Sequence, residues 1–126
     1  MKITSFNPLI LTSKSEETVK LFEELGFERR HLKTGIEGPD VKDIYSVRMK
    51  DANGFYVDVT QVDTMEQDVM TIRMNVDSFE EAYEFLTARG FKTASAEKMT
   101  DTGTSHSTMM ISPSGFSIVV AQHIKN

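Results

Sequence analysis

Apolar and polar positions alternate with a period of two along Phe55-Tyr-Val-Asp-Val-Thr60: Phe55, Val57 and Val59 share one face, Tyr56, Asp58 and Thr60 the other. The same alternation runs from Val69 to Val76, where Ile72, Met74 and Val76 oppose Thr71, Arg73 and Asn75. Both stretches predict strands whose apolar side is covered. The period then lengthens to that of a helix, with Phe79, Ala82, Tyr83 and Leu86 recurring at i, i+3, i+4 and i+7 behind a Ser78-x-x-Glu81 capping box. A second box, Ser13-Lys-Ser-Glu16, predicts an earlier helix that runs to about Leu25 and ends at Gly26.

Residues Ile3 to Thr12 are extended and mostly apolar. Phe27 to Thr34 reads as a polar edge strand whose charges blunt lateral pairing. Gly35 to Asp43, with Gly35, Gly38 and Pro39, reads as the longest irregular segment, a loop on the surface or over a pocket. Ile44 to Lys50 and Phe55 to Val62 form a hairpin about Asp51-Ala-Asn-Gly54, and Ser105 to Ile111 and Phe116 to Gln122 form another about Ser112-Pro-Ser-Gly115. A strand near Phe91 to Ser95 and a polar loop of Thr, Asp and Gly precede the second hairpin, and Thr64 to Asp68 is a polar linker.

The two halves are copies. Glu24-Leu-Gly-Phe27 and Ala88-Arg-Gly-Phe91 end the two helices, with Gly26 and Gly90 lying 64 apart (90 − 26); Gly54 and Gly115 of the hairpins lie 61 apart (115 − 54). The chain is thus a tandem repeat of one unit. The fold class is α+β: two βαβββ modules, residues 1–63 and 69–126, in a single domain of residues 1–126. Each helix must cover the apolar strand face of its own module. The polar faces are then left to curve toward each other, which predicts a cup-shaped sheet with helices on the outer face. The short linker leaves open whether the modules pair within one chain or across a dimer.

At 126 residues the chain suits one compact domain, since either half alone buries too little surface. A formal charge of −5 with mixed signs and no basic run argues against nucleic acid as a partner. The absence of cysteine removes disulfides, zinc ribbons and thiol nucleophiles together. No apolar run approaches the length of a membrane span, and Met1-Lys2-Ile3-Thr4-Ser5 lacks a hydrophobic signal core, so a cytoplasmic protein without membrane contact is expected.

Alternation assigns the cup face: Asn7 and Leu9; Ser46 and Arg48; Tyr56, Asp58 and Thr60; Thr71, Arg73 and Asn75; Ser107 and Met109; Ser117, Val119 and Ala121. The candidate ligand-binding residues are Asn7, Ser46, Arg48, Tyr56, Asp58, Thr71, Arg73, Ser107, Met109 and Val119. Two arginines and one acid on such a face require pairing, because an unpaired buried charge is costly. In one arrangement Asp58 pairs with Arg48 across the first hairpin and Arg73 reaches solvent. In the other an arginine, foremost Arg73, is left free to clamp a carboxylate or phosphate in bidentate fashion. Both can hold together. His31 and His123 are expected in solvent and His106 pointing away from the cup. No Ser-His-Asp or paired-carboxylate spacing assigns a catalytic residue. Tyr56 beside Asp58 is a hydrogen-bonding pocket group or a proton donor.

Leu21-Phe-Glu-Glu-Leu-Gly-Phe27 and Ser112-Pro-Ser-Gly115 stand where the vicinal oxygen chelate superfamily of glyoxalases, bleomycin-resistance proteins and dioxygenases has Phe-Tyr-x-x-Leu-Gly-Phe and Asp-Pro-Asp-Gly. The chain resembles that superfamily over essentially its whole length. Its metal enzymes place His on the first strand of each half and Glu four residues after each hairpin Gly. Carried over, those positions are Asn7, Thr71, Asp58 and Val119, of which only Asp58 is an ordinary ligand. The resemblance therefore implies a metal-free small-molecule binding protein without cofactor, of the bleomycin-resistance type. It would be a homodimer holding a small organic ligand, anionic ligands included, in the cup. The alternatives are a divalent-metal-dependent lyase, isomerase or thiol transferase with a displaced metal site at Asp58, and an interaction module whose cup is filled by its own side chains.

Overall fold

Both hairpin turns close on the side chain of their first residue. Asp51 Oδ1 accepts from the backbone N–H groups of Asn53 and Phe55, and Ser112 Oγ accepts from those of Gly115 and Phe116. In each turn the glycine donates to the carbonyl of the first residue, and φ is +88° at Gly54 and +108° at Gly115. That left-handed conformation is available to glycine without steric cost and sets a three-residue loop with the strand twist on either side.

The computed structural model describes residues 1–38, 41–94, 100–101 and 105–123. In chain order the elements are β1 (Ile3–Thr12), α1 (Ser15–Leu25), β2 (Glu28–Gly38), β3 (Val41–Lys50), β4 (Tyr56–Gln61), β5 (Val69–Val76), α2 (Phe79–Thr87), β6 (Lys92–Thr93), β7 (Thr100–Asp101), β8 (Ser105–Ile111) and β9 (Ser117–His123). Two compact units result, one of Asn7–Met70 and one of Met1–Phe6 with Thr71–Asn126.

In the first unit β3 lies between β2 and β4, antiparallel to both, and β4 runs parallel to β1 with Leu9 opposite Asp58. Helix α1 covers one sheet face: Val19 is buried with Ile10, Val47, Met49, Val57 and Val59, and Phe22 and Phe27 pack at its edge. In the second unit β5 runs parallel to β9, β9 pairs antiparallel with β8, and β6 and β7 both pair with β8. Phe79, Ala82 and Leu86 of α2 are buried there with Met74, Val76, Met110 and Val120. Each helix thus covers its own module's apolar strand face. Burial of side chains like these contributes roughly 1.5–3 kcal/mol apiece.

The repeat extends to hydrogen bonds. Phe27 N–H donates to Phe22 C=O and Phe91 N–H to Leu86 C=O, the same helix-ending motif in both modules. The helix starts match through a residue that the sequence pattern did not single out. Gln61 Oε1 accepts from the N–H of Ser15 at 3.0 Å, and Gln122 Oε1 from that of Phe79 at 2.7 Å. Each helix therefore has its first N–H satisfied by a glutamine from its own module's last strand.

Four expectations need correction. The Ser13 capping box does not form: the N-cap is Lys14, which supplies no side-chain bond, and Gln61 takes over the capping. Ser78 does cap α2, accepting from Glu81 N–H at 3.3 Å. The segment from Gly35 to Asp43 is largely strand, because β2 runs to Gly38 and β3 begins at Val41, with register shifts absorbing the irregular residues; Pro39 and Asp40 lie outside the described residues. Phe55 does not join the core and is 66% exposed, since it belongs to the turn and β4 begins only at Tyr56. The strand after Gly90 covers only Lys92–Thr93, and the following polar loop contains β7; Ser95 and residues 102–104 lie outside the described residues.

Candidate functional site

Alternation along β4 sends Val57 and Val59 into the core and therefore turns Asp58 to the opposite face. Even so, Asp58 is only 3% exposed. A carboxylate so buried must be compensated. The hairpin register sets Arg48 directly across from it, and the Arg48 Nε to Asp58 Oδ1 distance is 3.8 Å. The parallel neighbour β1 brings in Asn7, itself buried, whose amide donates to Asp58 Oδ2 at 3.0 Å and to Pro8 C=O at 2.9 Å. Arg48 Nη2 donates to Asn7 Oδ1 at 3.0 Å. The three side chains form a closed ring in which each touches the other two.

Arg48 is where this ring reaches the outside, with its side chain 24% exposed against 4% for that of Asp58. Its guanidinium carbon lies 4.4 Å from the centre of the Tyr56 ring, and Lys50 Nζ lies 5.3 Å from the same centre. Next along the face, Thr60 donates from Oγ1 to Ser46 Oγ at 2.9 Å. The structure thus brings Asn7, Ser46, Arg48, Tyr56 and Asp58 together on one face of the first unit. It adds Lys50, which sequence reasoning passed over although its place two residues after Arg48 puts it on the same face. The pairing of Asp58 with Arg48 is as expected.

The second unit carries its own polar set. Thr71 is buried and donates from Oγ1 to Ser117 C=O at 2.9 Å, while Ser117 Oγ donates back to Thr71 Oγ1 at 2.7 Å. Arg73 Nε donates to Asn75 Oδ1 at 3.2 Å, its neighbour two residues along the strand. Val119 is opposite Arg73 on one side and Met109 on the other, and Ser107 is opposite Ala121. Ser107, Met109 and Val119 are half-buried. His106 packs edge-on to Phe79 with ring centres 6.2 Å apart, on the helix-covered side, as alternation predicts. His123 is exposed, and the His31 side chain lies outside those described.

The resemblance to metal enzymes can be tested on these donors. Both oxygens of Asp58 are engaged, one by Arg48 and one by the Asn7 amide, and the Asn7 carbonyl oxygen faces the Arg48 guanidinium. The Thr71 hydroxyl is used by the backbone of Ser117, and Val119 offers no donor. Among the described residues no group of three or more His, Cys, Asp or Glu is placed to hold a metal ion. A divalent cation wants several strong N or O ligands free to point at it, and these residues do not fit one.

No protein-family model matches the sequence, and no curated protein matches it. Solved structures do match. A methylmalonyl-CoA epimerase from Mycobacterium tuberculosis superposes with a TM-score of 0.68 at 9% identity, over 98% of this chain and 90% of that one. A glyoxalase/bleomycin resistance protein/dioxygenase superfamily member from Vibrio splendidus gives 0.55 at 17% identity, over 98% and 100%. A Streptomyces coelicolor methylmalonyl-CoA epimerase in complex with 2-nitronate-propionyl-CoA gives 0.65 at 12% identity, over 98% and 100%. These solved structures share the fold of this chain, α+β with a strand–helix–strands module used twice. No helix among the described residues is long and apolar enough to cross a membrane.

Proposed function

We propose that the protein is a metal-free binding protein for a small organic ligand, of the glyoxalase and bleomycin-resistance type. The observation that carries this reading is the closed Asn7–Arg48–Asp58 ring. At two of the positions where the resemblance would put metal ligands, the side chains are bonded to each other, and a guanidinium supplies the positive charge. The ligand-binding residues are Asn7, Ser46, Arg48, Tyr56 and Asp58 in the first unit and Thr71, Arg73, Ser107, Met109 and Val119 in the second. A Streptomyces coelicolor protein of this fold holds 2-nitronate-propionyl-CoA, which supports small-molecule binding as a use of the fold. The reading takes the chain as one domain, cytoplasmic and homodimeric.

A small-molecule screen by thermal shift, followed by amide chemical-shift mapping, tests it. A stabilising compound is expected to perturb Ser46, Arg48, Tyr56 and Asp58, and to bind about tenfold more weakly to Tyr56→Ala. Compounds that stabilise the protein yet perturb none of these positions would contradict the reading.

A further inference from the structure

Resting on that reading, we infer that the face around Arg48, Lys50 and Tyr56 is a subsite for an oxyanion, a carboxylate or a phosphate ester carried by the ligand. Charge is the first ground. Two cations, Arg48 and Lys50, converge on one tyrosine ring, and Asp58 is the carboxylate in contact with Arg48. The cross-strand neighbour of Lys50 is Glu28, whose exposed carboxylate lies 3.9 Å from Arg30, so that pair is balanced by itself. Among the described residues one positive charge is left over on a half-buried face.

Donor geometry is the second ground. The Arg48 guanidinium spends its Nε and Nη2 edge on Asp58 and Asn7, and Nη1 has no partner among the described residues. The Tyr56 hydroxyl likewise has none. A planar guanidinium matches a carboxylate or phosphate in bidentate fashion, which an ammonium does not. The ring with Asn7 and Asp58, and the stacking on Tyr56, hold that plane in place before any ligand arrives, so little side-chain entropy remains to be lost on binding. The buried anion of the ring therefore orients Arg48, whose side chain remains 24% exposed.

Benzoate, phenyl phosphate and the neutral benzamide are suitable probes, titrated at constant ionic strength into the full chain while the Arg48 side-chain Nε–Hε resonance is followed by NMR. Benzoate or phenyl phosphate should shift it saturably and bind at least about tenfold more tightly than benzamide. The tighter of the two acids identifies which oxyanion the subsite takes. Lys50→Gln should weaken binding about two- to fivefold. The paired variant Arg48→Gln with Asp58→Asn, which removes both charges and leaves no buried ion behind, should abolish the preference for benzoate over benzamide. Equal binding of benzoate and benzamide, no saturable shift with either acid, or a preference that survives in the paired variant each overturn the inference. A neutral screening compound that maps to Tyr56 and is indifferent to Arg48 would also overturn it, while leaving the binding function intact.

Discussion

Asp58 is a nearly inaccessible carboxylate whose stability depends on two neighbours from different strands. Removing one member of such a set leaves an uncompensated buried charge, so Arg48→Ala should destabilise the fold by about 3–5 kcal/mol in urea unfolding. Truncating both Arg48 and Asp58 should cost clearly less than the sum of the single changes, with a coupling of about 0.5–3 kcal/mol. Additive losses would show that the pair does not interact. The pairing was legible in the sequence because a tight turn fixes hairpin register and alternation then puts Arg48 and Asp58 on one face. The part played by Asn7 was not legible. It depends on the register of the parallel pair β1 and β4, which lie far apart in the chain and are joined by no turn. The bond from Arg73 to Asn75 was not legible either, although a same-face residue two positions along a strand is within reach of a long side chain.

At the scale of elements, the glutamines at the helix starts and the glycine at the second helix end make the sharpest predictions. Gln122→Ala removes the acceptor for the first N–H of α2 and should cost about 0.5–2 kcal/mol, as loss of a helix cap does. Gln61→Ala should cost at least as much, because its amide also donates to Ser13 C=O and to Asp63 Oδ1, both at 2.8 Å. Equilibrium denaturation of both variants checks this, and no loss in either would remove the clips from the account. Gly90 has φ of +92°, and a Cβ there would lie 2.9 Å from Pro113 Cγ, so Gly90→Ala should destabilise by at least about 1 kcal/mol in the same assay. Helices and hairpins were legible here because their periods and turn residues are local signals. The extent of β2 and β3 was not, because glycine is also used in strands at register shifts. The first capping box failed because a motif competes with whatever side chain the fold brings nearby, and Gln61 reaches the same N–H.

At the scale of the whole molecule, one unit is used twice, each copy with its own core, its own helix cover and its own polar strand face. The fold tolerates identities of 9–17% with the solved structures named above, as expected where periodicity and turn glycines rather than particular side chains carry the architecture. Function depends instead on what occupies the polar faces, and in this chain the Arg48 guanidinium stands beside the Asp58 carboxylate. The most direct test is elemental analysis of the purified protein together with thermal unfolding in Mn, Ni, Zn, Co and Fe(II). Binding to a preformed site would stabilise the fold by about 2.7 kcal/mol at a hundredfold excess over Kd, a shift of several degrees. The account predicts no stoichiometric metal and no shift with any of the five. One equivalent of metal that raises the melting temperature and is lost in Asp58→Ala would contradict it.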